Sequence, residues 1–114
     1  MKRKVKIGTD IVFIPDFEEQ LSTGGEEFKK RVFHASELSP KTESLAGIFA
    51  AKEAVMKAFG LPPGSWLQIK IKKSNSGKPE VGLPHYFQKK CESWDLSISH
   101  SGEYAIAVFV AILV

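Results

Sequence analysis

A chain of 114 residues, 43% hydrophobic and 25% charged, is the size of one compact domain; a single domain over residues 1–114 is expected and two independent cores are excluded. The net charge of +3 suits an anionic partner without demanding one, and the basic start MKRK reads as a solvated tail, so nucleic acid is not an expected partner. The lone Cys91 excludes an internal disulfide and a cysteine-rich metal site, which makes a reducing cytoplasm the simplest setting.

From Lys4 to Ile14, Val5, Ile7, Ile11 and Phe13 alternate with Lys6, Gly8, Asp10 and Val12, the period of a half-buried strand. This pattern also argues against a signal peptide, because MKRK leads into alternation instead of an unbroken apolar run. Pro15 ends the ladder, and DFEEQL begins a short helix with Asp16 placed as its cap. STGG at 22–25 predicts a loop, and EEFKKRVF a second helix with acids first and bases last. Ser39 and Pro40 predict the start of a central helix over about residues 40–59, which Gly60, Pro62 and Pro63 stop. WLQIKIKK alternates as a strand, SNSG turns, and KPEVGL returns. HYFQKKCES reads as one short helix. WDLSISH, a turn at Ser101 and Gly102, and the apolar YAIAVFVAILV close the chain as a hairpin. That last run is too short to cross a bilayer as a helix, so no membrane is expected. Strands and helices intermix, with hairpin pairs toward the end, which predicts an α+β fold: a mainly antiparallel sheet packed on the long central helix.

The central helix poses a chemical problem. Val55, Ile48, Phe59, Leu45, Met56 and Phe49 fall on one core-forming arc of about 120°, and Ala46, Gly47, Ala50, Ala51, Ala54 and Ala58 on another that admits close approach. No ordinary polar face is left for Lys52, Glu53 and Lys57. Glu53 and Lys57, four apart, have a bland account as an exposed pair worth about 0.3 kcal/mol. Lys52 points into the apolar arc, where an ammonium needs a partner or a snorkelling stem. Asp10 is a carboxylate inside a strand, ordinarily an edge or bulge position, and His100 follows DLSIS at a hairpin head, ordinarily a surface position.

Taken together these residues describe a phosphate-handling site. Asp10 and Glu53 make the sparse oxygen shell that Mg²⁺ accepts when phosphate and water complete its octahedron, with lysines and a histidine to offset phosphoryl charge. Zinc clusters, a Walker loop and a GxGxxG turn are all absent from the sequence.

IGTDIV at 7–12, FKKRVF at 28–33 with Glu37, LAGIFAAKEAVMKAFG at 45–60, SGKPEV at 76–81 and LSISHS at 96–101 together resemble the holo-acyl-carrier-protein synthases, small 4′-phosphopantetheinyl transferases. The resemblance covers nearly the whole chain in order. It implies transfer of the phosphopantetheine arm of coenzyme A to a serine of an apo-acyl carrier protein, with release of adenosine 3′,5′-bisphosphate, as in fatty acid biosynthesis. It further implies Mg²⁺ held by Asp10 and Glu53, a catalytic set of Asp10, Glu53, Lys57 and His100, and coenzyme A contacts from Lys52, Lys57, Gly60, Ser99 and His100. The family's trimers bind coenzyme A at the seam between subunits, so a homotrimer is implied, and a helix with two packing faces suits a subunit boundary. Glu53, Asp10 through a water, and His100 are all candidates to take the serine proton.

Two positions depart from the family pattern. Ile48 stands where LAGRFAAKEA has arginine, and Asp16 stands at the strand exit where a basic residue meets the acidic carrier helix. Both changes remove positive charge. They leave room for an alternative in which a degenerate relative binds coenzyme A or a carrier protein without transfer.

Overall fold

The computed structural model describes residues 2–114. In chain order the elements are β1 (Lys4–Phe13), α1 (Ile14–Val32), α2 (Thr42–Phe59), β2 (Lys70–Lys73), β3 (Pro79–Gly82), α3 (His85–Lys90), β4 (Cys91–Ser101) and β5 (Tyr104–Leu113). Short 3-10 turns occupy Ala35–Glu37 and Trp66–Gln68. β1, β5 and β4 form one antiparallel sheet in that order, and β2 and β3 form a separate antiparallel hairpin. The fold is therefore α+β, with α2 packed across one face of the three-stranded sheet.

The small arc of α2 makes this packing possible. Ala46, Gly47, Ala50, Ala51, Ala54 and Ala58 are all buried, facing a sheet whose inner positions on β5 are Ala105, Ala107, Phe109 and Ala111. The approach is closest at Gly8 of β1, where a Cβ would lie 1.8 Å from the Ala54 carbonyl oxygen, so only glycine fits. The large arc is core as well: Leu45, Val55 and Met56 are buried, while Ile48, Phe49 and Phe59 pack at the margin. Between Ser44 and Phe59 only Lys57 is exposed, which makes α2 a helix without a solvent face.

Several local expectations shift. The apolar side of β1 is the exposed one: Val5, Ile7 and Ile11 are 67%, 66% and 60% exposed, and the Gly8, Asp10 and Val12 side faces α2. The expected STGG loop shrinks to a single break, because Gly25 adopts φ 56° and splits α1 into two helical segments. Asp16 does not cap α1. Phe13 occupies the cap position without a side-chain bond, and Asp16 lies in the first turn, where the helix dipole favours a carboxylate. α2 begins at Thr42 and not at Pro40; Ser39 accepts a bond from the Lys41 amide at 3.1 Å outside the helix. It ends as expected, with Gly60 left-handed (φ 65°, ψ 36°) and its amide bonded to the Met56 carbonyl. Cys91, Glu92 and Ser93, expected in the short helix α3, instead open β4, with a register shift between Cys91 and Ser93. Trp66–Gln68 is a 3-10 turn in place of the first residues of the expected strand.

Among the described residues, no helix is long and apolar enough to cross a membrane.

Candidate active site

Gly8 sets the site's geometry. Because α2 can press against β1 there, the residue two positions along the same face, Asp10, meets the next turn of the helix. The Lys57 ammonium donates to Asp10 Oδ1 at 2.9 Å and to the Thr9 carbonyl at 3.1 Å. Asp10's side chain is 14% exposed and that of Lys57 56%, so the pair sits at the protein surface with the carboxylate on its inner side.

Glu53 lies one helical turn before Lys57, yet the two do not pair. Glu53 Oε2 instead accepts a hydrogen bond from the indole N–H of Trp66 at 2.7 Å. Trp66 packs its ring on Phe49, with centroids 6.0 Å apart. Ser65 holds the intervening loop by donating to the Pro62 carbonyl at 2.6 Å. Glu53, Lys57, Gly60 and Trp66 line an open cavity of about 360 Å³. Gly60 lines it through the left-handed backbone that ends α2.

The donor chemistry fits a hard divalent cation. Among the described residues no cluster of three or more metal-ligating side chains exists, so a complete protein cage is absent. Two carboxylates each held through one oxygen, Asp10 by Lys57 and Glu53 by Trp66, retain a second oxygen for a cation that takes its other ligands from phosphate and water.

Lys52 is not placed to touch a ligand. Its side chain is fully buried, and it does not snorkel. The ammonium donates to the Val32 carbonyl and to Glu37 Oε1, both at 2.7 Å. Glu37 in turn accepts the His34 amide on Oε1 and the Ile71 amide on Oε2, each at 2.7 Å. One carboxylate thus joins the end of α1, the 3-10 turn, α2 and β2. Burial pulls the Lys52 pKa below its ordinary value, and the bond to Glu37 opposes that pull.

His100 and Ser99 lie apart from the Asp10 cluster within this chain. His100 Nε2 sits 2.9 Å from the Glu43 carbonyl in the first turn of α2; a carbonyl only accepts, so Nε2 carries the hydrogen of this bond and Nδ1 is the ring nitrogen that can exchange a proton. Its ring lies where a Cβ on Gly47 would come within 3.1 Å. Glu43 precedes Glu53 by about 15 Å along the helix axis, at 1.5 Å per residue. Asp10 pairs across the sheet with Ala107 and through it with Ile98, which puts His100 two strands away, about 10 Å laterally. Ser99, paired with Ile106, is on the outer sheet face, opposite His100.

Ile48 and Ile98 border a second cleft of about 430 Å³, with Ser44, Lys72, Lys73 and Gly77 on its walls. Asp16 is exposed on α1. Trp66 carries no polar signal in the sequence and is missing from the expected site. Glu37 stands in the sequence only as part of the family pattern, and nothing in the spacing ties it to Lys52.

The arrangement falls in a known class. Residues 6–109 match the 4′-phosphopantetheinyl transferase superfamily. A holo-[acyl-carrier-protein] synthase of Sulfurovum sp. (strain NBC37-1) is 40% identical over 111 residues, covering 91% of this chain and 93% of the relative. The crystal structure of the Helicobacter pylori holo-[acyl-carrier-protein] synthase in complex with coenzyme A superposes with a TM-score of 0.83 at 37% identity, covering 92% of this chain and 98% of that one. A Bacillus anthracis holo-(acyl-carrier-protein) synthase in complex with CoA (3′,5′-ADP) has a TM-score of 0.81 at 32% identity, covering 99% and 100%. The chain belongs to the holo-acyl-carrier-protein synthase family of 4′-phosphopantetheinyl transferases.

Proposed function

We propose that the chain, as a single transferase domain, moves the 4′-phosphopantetheine group of coenzyme A to a serine of an apo-acyl carrier protein. The observation that carries this reading is Asp10 held by the Lys57 ammonium, with Lys57 and the half-engaged carboxylate Glu53 lining one open cavity. It is supported by the likeness to relatives crystallised with coenzyme A. The serine oxygen bonds to the phosphorus that bears the pantetheine arm. The bond from that phosphorus to the bridging oxygen breaks, and adenosine 3′,5′-bisphosphate leaves with that oxygen.

Asp10 and Glu53 would hold Mg²⁺, which supplies charge neutralisation to the pyrophosphate oxygens. Lys57, held by Asp10 and the Thr9 carbonyl with its side chain 56% exposed, presents its ammonium to a phosphate beside Asp10. Glu53, Asp10 through a water, and the Nδ1 of His100 are the groups with a lone pair for the serine proton. Lys57, Gly60 and His100 are proposed as coenzyme A contacts. Ser99 would reach it only from the subunit seam, and Lys52 serves it only through the position of α2.

A homotrimer completes this reading. His100 and the Asp10 cluster sit at opposite ends of α2, so a compact site that uses both would draw them from two copies of the chain. The exposed apolar sheet face offers the surface for that association. A cytoplasmic setting and an acyl carrier protein of fatty acid biosynthesis complete the proposal. Nothing in the chain favours the non-catalytic binding module.

The test is transfer from coenzyme A to apo-acyl carrier protein, read by intact mass. Asp10→Ala and Glu53→Ala should each cut the Mg²⁺-dependent rate on the order of a thousandfold, several kcal/mol of transition-state stabilisation, with circular dichroism unchanged. Full activity in either variant, or in excess chelator, would overturn the reading.

A further inference from the structure

The loop after α2 does more than close the helix. Trp66 is half-buried, with its ring against Phe49 and its N–H on Glu53 Oε2 at 2.7 Å. Its N–H meets a side-chain carboxylate, whereas that of the other tryptophan, Trp94, donates to the Val81 carbonyl at 3.0 Å. Glu53 is half-buried at the cavity edge, and among the described residues Trp66 is its only hydrogen-bond partner. Asp10 is restrained in parallel by Lys57. A carboxylate fixed by one oxygen presents the other in a defined direction and loses less side-chain freedom when it takes up a cation.

We infer that Trp66 is a positioning residue for the divalent-cation site: its indole N–H orients the Glu53 carboxylate and so sets the cation affinity. This inference rests on the proposed transferase reading, but it is tested by binding without turnover. The loop that carries Trp66 is tied to the end of α2 by the Ser65 to Pro62 bond and by the Leu61 amide on the Met56 carbonyl at 2.9 Å.

Trp66→Phe keeps an aromatic ring on Phe49 and deletes the N–H. With Mn²⁺ as the probe, coenzyme A present and no carrier protein, free metal is read by electron paramagnetic resonance. The variant should bind Mn²⁺ about tenfold more weakly, the usual effect of losing a partner of a metal ligand, with its circular dichroism unchanged. A merely structural tryptophan would leave the Mn²⁺ affinity where it is. A second readout uses Trp94→Phe, which leaves Trp66 as the only tryptophan. Its emission should change as Mn²⁺ saturates the site. Unchanged Mn²⁺ affinity in Trp66→Phe, absence of Mn²⁺ binding in the wild type, or Trp66 emission indifferent to bound Mn²⁺ would each overturn the inference. Loss of transfer with these binding effects intact would instead count against the proposed function alone.

Discussion

A charged pair in a core is costly to make and more costly to break, and here its two halves are not equivalent. Glu37 satisfies Lys52 and two backbone amides, those of His34 and Ile71, whereas Lys52 satisfies Glu37 and one carbonyl. Glu37→Ala therefore strands a buried ammonium and two amides, a loss of about 3–5 kcal/mol. Lys52→Met leaves the carboxylate with both amide donors and places an apolar chain among apolar neighbours, so urea denaturation should show a distinctly smaller loss. Equal losses would mean that the pair, and not the amide clamp, carries the stability. Chemistry of this kind is only half legible in a sequence. The residue types at 10, 53, 57 and 100 point to phosphate chemistry, but the partner of Glu53 is Trp66 and that of Lys52 is Glu37, neither of which a periodicity can flag. Lys52 is tied to coenzyme A only by the family motif; the helical wheel puts it in the apolar arc, and there the structure buries it against Glu37.

At the scale of elements, the alternation of β1 and the small arc of α2 were both plain in the residues, and the structure joins them through Gly8. Gly8→Ala would drive a methyl into the Ala54 carbonyl, a backbone atom that cannot rotate aside. Overpacking of side chains costs about 1–3 kcal/mol, and against helix backbone the loss should reach the top of that range or exceed it. A melting temperature equal to wild type would show that β1 and α2 slide apart freely. Because such a slide also separates Asp10 from Lys57, activity should fall more than stability. Sequence patterns could not say which face of β1 meets the helix: Val5, Ile7 and Ile11 have the stronger apolar signal, but Gly8 is the only residue flat enough for a helix to rest on. α1 carries the other element-scale expectation. Asp16, Glu18 and Glu19 are exposed in its first turns, an acidic surface directly after the strand that bears Asp10. Asp16→Arg should lower the KM for an acidic carrier protein at low salt, with the gain fading as ionic strength rises and coenzyme A affinity unchanged. No change at low salt would place carrier docking on another surface.

The whole molecule leaves one sheet face uncovered. Ile7 pairs with Val110, Thr9 with Val108, Ile11 with Ile106 and Phe13 with Tyr104, and apart from the threonine this outer surface is apolar across both strands. An apolar surface of that continuity is expected to associate, and closed cyclic symmetry would bury it in every copy at once. Light scattering should give about 38 kDa, three times the chain mass of 12.6 kDa, and Val108→Asp should shift the protein to monomer with loss of transfer. The separation of His100 from Asp10 along α2 provides a sharper test. Asp10→Ala and His100→Ala should each impair transfer as pure proteins. If a site draws Asp10 from one copy and His100 from the next, mixed assemblies of the two variants contain sites in which both are intact. Co-refolding the variants together should then restore part of the rate, while simple mixing of preformed assemblies restores it only as fast as subunits exchange. A site built within one chain gains nothing from either treatment, and co-refolded mixtures that stay as inactive as their components would show that coenzyme A does not bridge two copies.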